Sequence, residues 1–161
     1  NGWYFLNELY SALAEHPDIH LTTFSDYLER HPDSVMDLPR LVAGSWVYGD
    51  FSTWMGHADK NRAWDLLCAA KSAYDRVMAS GRLDEAAQAE ALLRSCESSD
   101  WFWWFGDANP ADSVRAFDQL YRAKLVRLYQ TLGLPKPAEL DRPLSRGGGD
   151  VEAGGVMRRG A

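Results

Sequence analysis

Residues 98 to 107 read SSDWFWWFGD and set five aromatic rings in a row, Trp101 to Phe105, between Asp100 and Asp107. A core helix confines its large apolar residues to one stripe. A half-buried strand alternates them with polar residues. This run obeys neither rule, so the segment is either enclosed on all sides or leaves some rings facing a ligand. Six of the seven tryptophans fall between Trp46 and Trp104, which concentrates large, rigid apolar surface in that part of the chain.

Around the run the periodicity is helical. Residues 3 to 14 place Phe5, Leu6, Leu9, Tyr10 and Leu13 on one face, and Pro17 ends that helix. Ile19 to Phe24 is rich in β-branched and apolar residues and reads as a short strand, with Ser25 capping a short helix through Glu29. Helix, turn and strand in that order is how an α/β unit continues, and one strand alone has no sheet to join. Residues 31 to 58 mix Pro32, Pro39, Gly44, Gly49 and Gly56 with aromatics. Leaving Trp46, Tyr48, Phe51 and Trp54 in water would be costly, so this reads as an ordered loop.

Asn61 to Ser80 reads as a long helix with the stripe Trp64, Leu67, Cys68, Ala70, Tyr74 and Val77, closed by Gly81. Asp84 to Ser95 is a second, Ala-rich helix with Asp84 as its cap. Pro110 opens a third, whose stripe is Phe117, Leu120, Tyr121, Leu125, Leu128, Tyr129 and Leu132, ending at Gly133. Three helices with facing stripes predict a bundle. After Pro137 the pattern stops. Residues 145 to 161 are Gly-rich and read as a disordered tail, in which Gly147 to Gly149 signify flexibility rather than a phosphate loop.

A chain of 161 residues can hold one domain with a sizeable core, or a small core plus an appendage. Its net charge of -6, without a Lys/Arg block, argues against a nucleic-acid partner. No apolar run has the length of a membrane span, so no membrane partner is expected. His16 and His20 are four apart but separated by Pro17, and His31 and His57 are isolated, so neither a metal nor a cofactor is expected. No spacing marks a catalytic triad. Cys68 lies in an apolar helical pattern and reads as a buried free thiol; a disulfide with Cys96 is the rival reading. The chain starts at Asn1, not Met, and is already apolar by Trp3, which reads as a cut from something longer. The cytoplasm is the expected compartment.

Paired carboxylates are the remaining chemistry. Glycosidases use two, one to protonate the leaving oxygen and one to attack or to activate water. Asp100 and Asp107 flank the aromatic run, with Glu97 nearby. Aromatic faces suit the flat C–H face of a sugar ring, whose rim needs hydrogen bonds. The competing reading has Asp100 capping a loop and the rings filling a seam.

SSDWFWWFGD resembles a signature in the C-terminal helical region of glycoside hydrolase family 57, the α-amylase and amylopullulanase-like enzymes. A second stretch, GSWVYGDFSTWMGHADKNRAWDLL at 44 to 67, is similar to the segment upstream of it in the same enzymes. The matching residues there are Gly44, Ser45, Trp46, Trp54, Gly56, Asn61, Ala63 and Trp64, with His57 next to the matched glycine. Downstream the match runs through Ser99, Asp100, Trp101, Phe102, Trp103, Trp104, Gly106 and Asp107, then into a helix around Phe117, Leu120, Tyr121 and Arg122. It covers most of residues 1 to 140, and the tail matches nothing.

The resemblance implies a (β/α)7 barrel followed by a helical bundle, acting on α-glucans with retention through a Glu nucleophile and an Asp acid/base, both in the barrel. NGWYFLNELYSAL looks like a late barrel helix, downstream of the segment carrying the catalytic Asp. It therefore implies that no catalytic residue lies in this chain, and that Ser99, Asp100 and Trp101 contact substrate, along with Trp103, Trp104, Asp107, His57 and Trp54. The expected fold is mainly α: residues 1–40 as a helix-strand remnant ending a (β/α)7 barrel, 41–140 as a helical bundle, and 141–161 as a disordered tail. The expected partners are an α-glucan oligosaccharide or polysaccharide and the missing barrel. The rival is a non-enzymatic helical protein-interaction module.

Overall fold

Pro17 decides the first boundary. The residue before a proline is pushed out of the helical region, and His16 is extended at φ -71°, ψ 126°. Helix α1 accordingly ends at Glu15, having begun at Gly2. The computed structural model describes residues 1–81 and 86–151, which fall in two units, residues 1–42 and residue 43 onward. The described chain is mainly helical and contains no strand.

The first unit holds α1, helix α2 (Phe24–Arg30) and a 3-10 turn at Pro32–Ser34. The strand expected at Ile19 to Phe24 is not formed among the described residues: 19 to 23 are irregular and Phe24 is already helical. A strand needs a partner for its backbone groups, and none is described here. The cap of α2 is Thr23, whose hydroxyl accepts from Asp26 N at 3.1 Å, not Ser25, which lies inside the helix. The first unit thus has the expected helix and, among the described residues, no strand. No residue of 1–42 is buried, and the apolar face of α1 is largely exposed.

The second unit is the bundle: α3 (Ala58–Ala79), α4 (Ala86–Cys96), the short α5 (Asp100–Trp104), α6 (Ala111–Thr131) and a 3-10 turn at Ala138–Asp141. Asp84, expected to cap the second bundle helix, lies outside the described residues. Helix α6 packs on α3, α4 and α5, and α3 also packs on α4. Tyr121 is the hub. It is fully buried among Trp101, Phe102 and Phe105, and its hydroxyl donates to Ala63 O at 2.9 Å, tying α6 to α3. That enclosure pushes its phenol pKa up.

The face that α3 buries is Ala63, Leu66, Leu67, Ala70 and Ala73. Cys68 is exposed, which corrects the buried-thiol reading; it lies about 100° round the helix from Leu67 and falls off the stripe. The buried thiol is Cys96, at the end of α4, and both cysteines are free.

The segment from 141, expected as the start of a disordered tail, is held against the bundle as far as Gly149. Asp118, 1% exposed, accepts from Arg122 Nε at 3.0 Å, Arg122 Nη2 at 2.7 Å and Leu144 N at 2.7 Å. Arg122 Nη1 donates to Leu140 O, and the Ser145 hydroxyl accepts from Gly106 N at 2.8 Å. Gly148 and Gly149 N–H both donate to Asn109 O. Composition misled because the fastening is polar and its partners lie in residues 106 to 122. The rest of the expected tail, 152–161, lies outside the described residues.

Candidate functional site

Successive helical residues are about 100° apart, so a run of aromatics on a short helix must point in different directions. In α5 the split is clean. Phe102 and the capping Phe105 are buried completely and Trp101 nearly so, while Trp103 and Trp104 are half-buried. Trp101 packs on Phe117 and Tyr121, and its indole N–H donates to Ser95 O at 2.8 Å. Phe102 stacks on Trp64 at 3.6 Å between ring centres and 5° between planes. The run therefore does both things its sequence allowed, enclosing some rings and presenting others.

The presented rings line an open groove of about 370 Å³ with Trp46, Trp54, Ser99 and Asp100. Trp46 lies nearly parallel to Trp103, 6.4 Å away and 14° between planes, and is 77% exposed. Trp54 meets Trp103 at 5.8 Å and 57°. Trp104 is backed by Phe117, stacked at 4.8 Å. Behind Trp54, its carbonyl accepts from the Trp64 indole at 3.0 Å. Asn109 anchors the end of α5, its amide donating to the carbonyls of both Trp103 and Trp104 at 3.0 and 3.1 Å.

Trp46 stands on a turn built by its neighbours. The Ser45 hydroxyl accepts from Val47 N at 3.1 Å and also bonds the Val47 and Asp50 carbonyls, while Asp50 Oδ1 receives Ser52 N and Oγ. Gly44 is required there: a Cβ on it would meet Gly49 O at 2.4 Å. At the groove rim, Asp100 Oδ2 accepts from the Ser98 hydroxyl at 2.7 Å. A carboxylate accepts several hydrogen bonds, so capacity is left for a ligand hydroxyl.

The eight sequence-predicted residues are thus sorted into three places. Trp54, Ser99, Asp100, Trp103 and Trp104 share the groove. Trp101 is core. His57 and Asp107 are paired away from the groove lining, His57 Nε2 to Asp107 Oδ2 at 3.4 Å. His57 also caps α3, its Nδ1 accepting from Asp59 N at 3.1 Å, which leaves Nε2 as the protonated nitrogen of the neutral ring. Lys60 donates to Thr53 O, and burial pulls its pKa down to about 8. Sequence reasoning missed Trp46 and Asn109 as site residues. Trp46 had a signal, its place in the Gly-Ser-Trp motif; Asn109 had only its position before Pro110.

Among the described residues, Asp100 is the one carboxylate lining the groove, and no Lys or Arg lines it. Such a lining suits a neutral ligand with flat apolar faces and a hydroxylated rim, because indole faces take the former and Ser99 and Asp100 the latter. No group of three or more metal-ligating side chains occurs among the described residues, and no helix there is long and apolar enough to cross a membrane. Comparison with family models, curated proteins and solved structures finds no match to this chain.

Proposed function

We propose that this chain is the C-terminal part of a retaining α-glucan-active glycoside hydrolase or glucanotransferase similar to family 57, contributing substrate-cleft residues without the catalytic Glu/Asp pair. The observation that carries this reading is the groove of four indoles rimmed by Ser99 and Asp100, built from the two stretches that carry the family resemblance. A retaining mechanism needs two carboxyl groups about 5 Å apart. Among the described residues the groove supplies Asp100 alone, so on this reading the chain binds glucan and the missing barrel cleaves it. No cofactor takes part, and the parent works in the cytoplasm.

Titrating maltoheptaose into the purified chain, with tryptophan fluorescence as readout, tests the reading. Saturable quenching is expected in the wild type and its loss in Trp103→Ala. Glucan hydrolysis by the chain itself, abolished in Asp100→Ala, would overturn the division of labour. A non-enzymatic protein-interaction module is the second reading, favoured by the exposed apolar residues of 1–42. It predicts no response to the sugar.

A further inference from the structure

We propose that the groove continues past Trp104 into a second compartment walled by Gly148 and Gly149, so that the site takes a linear oligosaccharide lying across both. This deepens the carbohydrate reading and rests on it. Trp104 lines the groove and also a neighbouring depression of about 460 Å³, whose other walls include Asp112, Ser113, Gly148 and Gly149. Each compartment is within the range of roughly 300–1,000 Å³ typical of small-ligand sites. A ring stacked on Trp104 would therefore have room for a neighbour on either side. Polar groups stand at both ends, Ser99 and Asp100 in one compartment and Asp112 and Ser113 in the other, where sugar hydroxyls need partners.

The second compartment is built rather than incidental. Trp104 is backed by Phe117. Asn109 ties the two walls together: its side chain holds the Trp103 and Trp104 carbonyls, and its own carbonyl accepts from Gly148 and Gly149 N–H at 3.1 and 3.0 Å. The glycines allow this approach. A Cβ at Gly149 would lie 2.0 Å from Ala108 O, and one at Gly147, where φ is +70°, would lie 2.8 Å from Val114 Cγ2. No bulkier residue lets the chain close against residues 108 to 114 in this way. The glycine run thereby acquires a role, shaping a wall.

Calorimetric titration of the full chain with maltotriose and with maltoheptaose tests the inference. The longer sugar should bind about tenfold more tightly to the wild type. That ratio should fall to about one in Gly149→Ala, which displaces the wall, and in Ser113→Tyr, which fills the compartment without touching the glycines. Maltotriose binding with no gain from length, or a ratio kept in both variants, overturns the second compartment alone. Binding of neither sugar by the wild type brings down the carbohydrate reading itself.

Discussion

Helices α1 and α6 carry the same kind of apolar stripe, and they meet different fates. Along α6, Tyr121, Leu125, Leu128 and Tyr129 are buried against the rest of the bundle. Along α1, Phe5, Leu6, Leu9 and Tyr10 are exposed. A periodic stripe says which face of a helix seeks burial; it does not say whether the covering surface is in the same unit. Helical stability comes mostly from that cover, so residues 1–42 should contribute little to cooperative unfolding.

The largest expected effect tests the same contrast between the two units at α5 and α2. Phe102→Ala removes a ring that is 0% exposed and stacked on Trp64, and should cost about 4 kcal/mol by urea unfolding. The same substitution at Phe24, 92% exposed, should stay within about 0.5 kcal/mol. Comparable losses at the two positions would break the contrast, because they would require a cover over Phe24.

A second contrast lies inside the bundle unit, between apolar packing and the polar fastening of residues 140–149. Asp118→Asn leaves Arg122 half-buried without its counter-charge and weakens the acceptor for Leu144 N. Breaking such a pair from one side should cost about 3 kcal/mol. Amide exchange at Leu144, Gly148 and Gly149 should accelerate more than exchange in α3. Equal acceleration throughout would mean that Asp118 stabilises the whole unit and not this segment in particular.

The parts of the fold legible in sequence were those governed by local periodicity. The long helices follow from their stripes, and the split of SSDWFWWFGD into enclosed and presented rings follows once it is helical. The stripe of α3 was read one position too far round at Cys68, because a single thiol adds little to a face defined mainly by small Ala residues. Ile19 to Phe24 has strand composition, but pairing is a non-local requirement that composition does not report. The glycine run at 147–149 was read as flexibility for a similar reason. Its meaning depends on Asn109 and Ala108, some forty residues earlier. Within the site, the aromatic residues were visible because they are rare, whereas Asn109 acts through two backbone carbonyls that leave no trace in sequence.

Cys96 allows the finest test of burial within the bundle. Loss of water around it pushes its pKa up to about 12; the Lys124 charge opposes this and Glu97 adds to it. In the unfolded chain a thiol titrates near 8.5. Between about pH 9 and 12, then, the folded state holds a proton that the unfolded state has released, and stability falls as pH rises. One proton corresponds to at most about 1.4 kcal/mol per pH unit. Lys60 acts in the opposite sense, since its folded pKa of about 8 lies below the 10.5 of a free lysine, so its contribution rises with pH across that interval. The two slopes offset each other between about pH 9 and 9.5, and the wild type should be nearly flat there; above that Tyr121 and Tyr129, whose phenols burial pushes up, add a falling slope. Removing the thiol exposes the Lys60 slope. Cys96→Ala, less stable at pH 8 because of its small cavity, should gain stability from about pH 9 to 9.5 in urea titrations, before the buried phenols begin to titrate in the unfolded chain. Parallel pH profiles for the variant and the wild type would show that the Cys96 thiol is not the shielded group its position in the core makes it.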